Sequence, residues 1–203
     1  MIQLNNFLDR IQEGMLFSDK TLAFDLDKFI KSKDGKLIII GAAGSGKSTI
    51  GKKIANKYKV KYFEGDYCWE AAEKKYPDFN NDEKEYSKMN DMYYKCLVKK
   101  LQSPGKLVVE GIGFLEIYNG SKEEKEFILN YPVIILGTSM LKSSLRAYKR
   151  AKQFKRANKD TLSPVAQLLY YGFINFMGII DTIKLFKKDR QKVPGTKFEE
   201  FNL

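Results

Sequence analysis

The chain contains no histidine among its 203 residues. That removes the side chain whose charge changes near neutral pH and leaves any proton abstraction to Asp, Glu, Lys or Tyr. Cysteine is almost absent too: Cys68 and Cys96 are the whole supply, lie far apart and form no C-x-x-C pair. Their spacing suggests neither a disulfide framework nor a zinc site, and a reducing, cytoplasmic setting is expected. Acidic residues are the minority charge, 25 against 36 Lys and Arg, for a formal net charge of +11. An excess of this size favours a polyanionic partner such as nucleic acid or a nucleotide phosphate, although the Lys, Asn, Ile and Tyr usage of an AT-rich genome produces the same excess. Met1 to Arg10 lacks the basic head and apolar core of a secretory signal, so secretion is not expected. A clean membrane-length apolar run is also missing. Thr161 to Ile180 carries no charge, but Pro164, Gln167, Gly172, Asn175 and Gly178 dilute it, which fits a core helix or subunit interface better than a span.

What is present is concentrated near residue 40. The apolar run Leu37 to Ile40 ends directly in Gly41-Ala42-Ala43-Gly44-Ser45-Gly46-Lys47-Ser48-Thr49, a complete G-x-x-x-x-G-K-S/T behind an expected strand. Each residue type serves phosphate binding. Glycines allow a tight turn with inward N–H groups, the lysine reaches the β and γ phosphates, and the hydroxyl of Ser48 suits Mg²⁺. Ile50, Ile54 and Tyr58 give the following helix one apolar face, with its N-terminal dipole toward the phosphates. A nucleoside triphosphate site over Gly41 to Thr49 is therefore expected.

Further strands are expected at Val60 to Phe63, Leu107 to Glu110 and Val133 to Leu136, with Thr196 to Leu203 a weakly supported last one. Tyr86, Met89, Tyr93, Leu97 and Leu101 mark a long helix closed by Ser103-Pro104-Gly105. Tyr67 to Asp82 shows no clean periodicity. Ahead of the first strand, a helix is expected around Asn5 to Gln12. Leu22 to Ile30 reads as an amphipathic piece, with an extended lead-in through Thr21 to Leu26 as the other reading. Asp25 and Asp27 read as a solvated face rather than a metal pair. Strands alternating with helices predict an α/β fold: a three-layer α/β/α sandwich with a mainly parallel sheet. At this length it forms one domain over 36–203, preceded by a preface over 1–35 and carrying a basic lid at about 141–160.

The remaining residues argue for phosphoryl transfer. A guanine-reading N-K-x-D is absent; Asn158-Lys159-Asp160 has the wrong spacing. Asp66 follows the strand Val60 to Phe63, at the sheet edge where ligands bind, and is the first choice to orient or deprotonate an acceptor hydroxyl, with Glu64 as competitor and a turn or helix-cap role as the bland alternative. Glu110 ends a buried strand, where a carboxylate is costly without a partner, and is expected to organise Mg²⁺ together with Ser48. Arg146 and Arg150, four apart on a helix, would clamp the phosphates, and Arg156 would reach over from the lid. Tyr67 and Trp69 suit either base stacking or core packing.

These segments resemble the P-loop kinase group that includes nucleoside and nucleotide kinases, polynucleotide kinases and zeta-toxin-like kinases. The loop with Ile50-Gly51-Lys52-Lys53 looks like their first loop and helix. Glu64-Gly65-Asp66-Tyr67 is similar in placement to their acceptor-side aspartate motif, and Val109-Glu110-Gly111-Ile112 resembles the third-strand E-G of uridine-kinase-like members. The leader Asp25-Leu26-Asp27-Lys28-Phe29 looks like those of phage-encoded members, some of which act on nucleic acid or on hydroxymethylated bases in DNA. The resemblance implies a nucleotide-kinase-like core, ATP as donor and Mg²⁺ as cofactor. The expected function is γ-phosphoryl transfer to a hydroxyl of a nucleotide, nucleoside or nucleic acid. The rivals are a nucleotide-gated switch ATPase that binds a partner, or a further copy, through Val165 to Phe186, and a membrane-anchored ATPase.

Overall fold

The structure, a computed structural model, describes residues 21–137, 145–146, 149 and 175–201. The expected helix at Asn5 to Gln12, most of the lid with Arg150 and Arg156, and the apolar stretch up to residue 174 lie outside the described residues. The described elements are β1 (Leu22–Phe24), α1 (Leu26–Lys31), β2 (Lys36–Ile40), α2 (Lys47–Tyr58), β3 (Lys61–Glu64), α3 (Asp66–Lys75) and α4 (Glu83–Gln102). They continue with β4 (Leu107–Glu110), α5 (Gly113–Tyr118), α6 (Lys122–Leu129), β5 (Val133–Ile135), α7 (Asn175–Lys192) and β6 (Phe198–Glu200). The strands form one six-stranded sheet in the order β3-β4-β2-β5-β1-β6. The β3-β4-β2-β5 part is parallel; β1 joins it antiparallel to β5, and β6 pairs antiparallel with β1 at the edge.

Alternation along the strands creates two apolar layers. Ile38, Ile40, Val109, Val133 and Ile135 pack against Met89, Tyr93 and Leu97 of α4 and Ile183 and Phe186 of α7. Leu37, Ile39, Val108 and Ile134 face the other way, onto Ile54 and Ala55 of α2 and Phe29 of α1. The three-layer sandwich with a mainly parallel sheet is thus the observed fold. Its boundaries carry local reasons. The Asp82 carboxylate caps α4 by accepting from the N–H of Lys84 at 2.8 Å, and Ser121 with Glu124 closes a capping box on α6.

Three expectations change. The segment from Leu22 is a strand followed by a helix, broken at Asp25, whose φ of 52° lies in the left-handed region that aspartate tolerates. The aperiodic stretch after Asp66 opens with α3, because this short helix packs on α4 and presents only Cys68 and Ala72 as buried positions. Asp25 is not part of a solvated face, being 3% exposed. Its carboxylate accepts from the guanidinium of the fully buried Arg190, from the Lys197 N–H at 3.0 Å and from Lys28 at 3.1 Å. Arg190 also donates to Thr196 Oγ1 at 2.9 Å, so one buried pair ties β1, α7 and the final strand together. Asp27 does stay exposed, in a loose pair with Lys31.

The cysteines also correct the sequence reading. Cys68 on α3 and Cys96 on α4 form a disulfide, their Cα atoms 5.8 Å apart, because the two helices run as a hairpin that brings positions 28 residues apart in sequence into contact. The argument from cysteine spacing to a reducing setting therefore lapses. A loop closed across 28 residues is worth roughly 3.5 kcal/mol of stability by chain entropy. Denaturant unfolding with reductant is expected to show that loss in wild type and none in Cys68→Ser/Cys96→Ser; an unchanged wild-type midpoint would contradict the bond. Among the described residues, no helix is long and apolar enough to cross a membrane.

Candidate active site

The carboxyl ends of β2, β3 and β4 meet at one point, and the chain places its chemistry there. In the loop after β2, Gly44 and Gly46 adopt φ of 76° and 95°, which only glycine takes without strain, so the turn delivers Lys47 to the first position of α2. Lys47 Nζ donates to the carbonyls of Gly41 at 3.1 Å and Ala42 at 3.2 Å, lying over the loop. Ser45 Oγ is buried in the loop with no partner, an acceptor or donor left for a ligand. Thr49 and Ala43 face solvent. Arg146 approaches from beyond β5, its guanidinium 3.4 Å from the Gly44 carbonyl. Arg150 lies outside the described residues.

Register brings the carboxylates to the same edge. Glu64 pairs with Glu110 across β3 and β4, and the Gly65 N–H donates to the Glu110 carbonyl at 2.7 Å. A Cβ on Gly65 would stand 2.6 Å from that carbonyl, so glycine is required for the chain to turn into α3 so close to β4. Asp66 is then the first residue of α3, with Gly65 as the cap, so the cap role is taken and the Asp66 side chain stays exposed.

Glu110 is 2% exposed and shares the sheet face of α2 with Val108. Ser48 Oγ donates to its Oε1 at 3.1 Å, and the Tyr62 hydroxyl reaches the same oxygen at 3.4 Å. Burial pushes the Glu110 carboxyl above the ordinary carboxylate range, with Lys47 opposing and Asp66 adding to the rise. Glu64 pairs with Lys52 at 3.7 Å.

Aromatic residues pack along the α3–α4 hairpin that Asp66 opens. Tyr93 is buried, and its hydroxyl occupies the space a side chain at Gly113 would fill. Burial, with Glu116 and Asp66 nearby, raises its pKa. Tyr94 donates to Glu116 at 2.7 Å. Trp69 stacks edge-on against Phe79 and Tyr93, centroids 6.0 and 5.4 Å away, and so belongs to the hairpin packing. Tyr67, in contrast, is 60% exposed beside Asp66.

The residues present suit a triphosphate with its magnesium ion. Gly41 to Thr49 supplies the N–H cradle, Lys47 the cation, and Ser48 with Glu110 the hard oxygen donors Mg²⁺ prefers. No group of three or more acidic, histidine or cysteine side chains able to hold a metal occurs among the described residues. The structure brings Lys47, Ser48, Asp66 and Glu110, each singled out in the sequence, to one sheet edge. The sequence reading missed Tyr62, Tyr93, Gly113 and Glu116. Only Tyr62 carried a local signal, since strand alternation puts it on the face of Glu64.

Comparison with known proteins agrees with this geometry. Residues 43–110, about a third of the chain, match the family model "Shikimate kinase". This span runs from the loop through the Glu64-Gly65-Asp66 turn to Glu110. Among solved structures, the shikimate kinase from Acinetobacter baumannii in complex with shikimate is similar at 18% identity and TM-score 0.50, covering 83% of this chain and 84% of that one. The shikimate kinase from Bacteroides thetaiotaomicron is similar at 14% identity and TM-score 0.50, covering 79% and 83%. No curated protein sequence matches. The chain has the P-loop kinase fold, and its match to the shikimate kinase model marks it as a kinase that phosphorylates a hydroxyl group.

Proposed function

We propose that the protein transfers the γ-phosphoryl group of ATP to a hydroxyl of a small molecule held between Asp66 and the α3–α4 hairpin. One observation carries the reading: the phosphate loop, the Ser48–Glu110 pair and Asp66 share one sheet edge. The acceptor oxygen attacks the γ phosphorus as the bond to the β–γ bridging oxygen breaks; the electron pair leaves on ADP and the hydroxyl proton passes to Asp66. Magnesium, when bound, neutralises charge on the β and γ oxygens. Ser48 and Glu110 would hold it, Lys47 would grip the phosphates, and Arg146, already at the Gly44 carbonyl, would close over them with Arg150.

Two acceptor classes follow from different observations. The family match favours a small polyhydroxylated acid such as shikimate. The net charge of +11 favours a nucleotide, nucleoside or nucleic acid, including a hydroxymethylated base in DNA or a sugar nucleotide of the zeta-toxin type. The switch-ATPase reading is weaker because Ile180, Ile183 and Phe186, from its partner-binding stretch, are buried in this chain's own core.

Transfer of labelled γ-phosphate to a panel of cyclic hydroxy acids, sugars, nucleosides, nucleotides, DNA and RNA tests the reading. Label on one class is expected. Lys47→Ala is expected to lower that transfer at least about 100-fold. ATP hydrolysis without label on any acceptor would favour the switch protein.

A further inference from the structure

Gly51 is a glycine one turn into the helix that follows the phosphate loop, a position where alanine would favour the helix more. Its φ is ordinary, so conformation does not explain it. Space does: a Cβ there would lie 2.5 Å from Cε2 of Tyr62. One edge of the Tyr62 ring, Cδ2 and Cε2, lies against the bare backbone of α2 at Gly51, with Lys52 Nζ 5.6 Å from the ring centroid. That seat holds its hydroxyl 3.4 Å from Glu110 Oε1, the same oxygen that accepts from Ser48 at 3.1 Å.

We infer that Tyr62 is a positioning residue for the metal arm of this site, its hydroxyl holding the Glu110 carboxylate toward Ser48 and the Mg²⁺ that arrives with ATP. The inference rests on the kinase reading above and deepens it. A carboxylate beside a bound ion needs a partner on its remaining lone pairs to keep its orientation, and losing such a partner commonly weakens metal affinity about tenfold or more. Tyr62 meets that need without adding charge. A phenol hydroxyl offers a proton to the carboxylate at neutral pH. Gly51 and Tyr62 then form a pair: the missing side chain on α2 makes room for the ring that orients the acid on β4.

The test is nucleotide binding rather than turnover. A fluorescent, non-hydrolysable ATP analogue is titrated with and without Mg²⁺ against wild type, Tyr62→Phe and Gly51→Ala. Tyr62→Phe keeps the ring and its packing. It is expected to raise the Mg²⁺ concentration for half-maximal enhancement of binding about tenfold, with metal-free affinity unchanged. Gly51→Ala, which drives the ring from its seat, is expected to shift the metal dependence in the same direction. Wild-type metal dependence in Tyr62→Phe would overturn the assignment, as would an equal loss of metal-free affinity, which marks a structural role for the loop. A wild type that binds the analogue with no Mg²⁺ dependence at all would instead overturn the metal-assisted kinase reading beneath it.

Discussion

Asp66→Asn is expected to lower kcat by about 10² to 10⁴-fold, the usual worth of a positioned general base, while the dissociation constant for ATP stays within about twofold. The separation follows from where Asp66 stands. It opens α3 just beyond the Gly65 turn and is exposed, and under the proposed function it serves the acceptor rather than the nucleotide. Asparagine keeps the volume and one acceptor oxygen but cannot take a proton. With histidine absent from the chain, no imidazole can stand in. Glu64, the nearest carboxylate in sequence, is engaged with Lys52. Stopped-flow transfer together with equilibrium nucleotide binding would check the result. Equal losses in both would remove Asp66 from the acceptor-side role.

Asp25→Asn is expected to destabilise the fold by about 3–5 kcal/mol, the range for removing one partner of a buried ion pair. Arg190 is fully buried and its Nε has no partner, so its charge depends on the Asp25 carboxylate. Arg190→Met is expected to cost less, because Lys28 and the Lys197 N–H remain to hold the carboxylate. Against a total stability of about 5–15 kcal/mol, the first loss is severe and should appear directly in urea unfolding. Acid pH supplies a second signature. Burial by itself would raise the Asp25 pKa, but the Lys197 N–H, Lys28 and Arg190 outweigh it and the net value lies below the ordinary 3.8. Stability from this group is therefore present above about pH 3.8 and lost as pH falls through the lower folded value, because the unfolded chain binds the proton first. Asp25→Asn should lack that acid-side step; an identical acid profile would show that the pair does not set it.

Legibility differed by kind of residue. The phosphate loop, the central strands and the long helix α4 are written in local patterns: glycine spacing, apolar runs, and repeats at three and four. Their boundaries differ from expectation by only a residue or so, as with β3 at Lys61–Glu64 against Val60 to Phe63. Residues whose role depends on what lies opposite were read less well. Asp25 beside Asp27 looks like a solvated pair until Arg190, 165 residues later, folds over it. Cys68 and Cys96 look unrelated until α3 and α4 run side by side. Trp69 after Asp66 suits a base-stacking role by position, and its edge-on contacts assign it to packing.

The sequence by itself determined the nucleotide end of this protein: a loop that must bind phosphate, a lysine and hydroxyl to serve it, and a parallel α/β sheet behind it. These rest on steric and periodic constraints that act within a dozen residues. Only the tertiary structure decided the partners. It matched Gly51 to the Tyr62 ring, put two hydroxyls on one Glu110 oxygen, buried Asp25 against Arg190 and joined the cysteines. Contacts across the sheet or between helices depend on strand order and register, and no local pattern along the chain records which distant residue will arrive opposite.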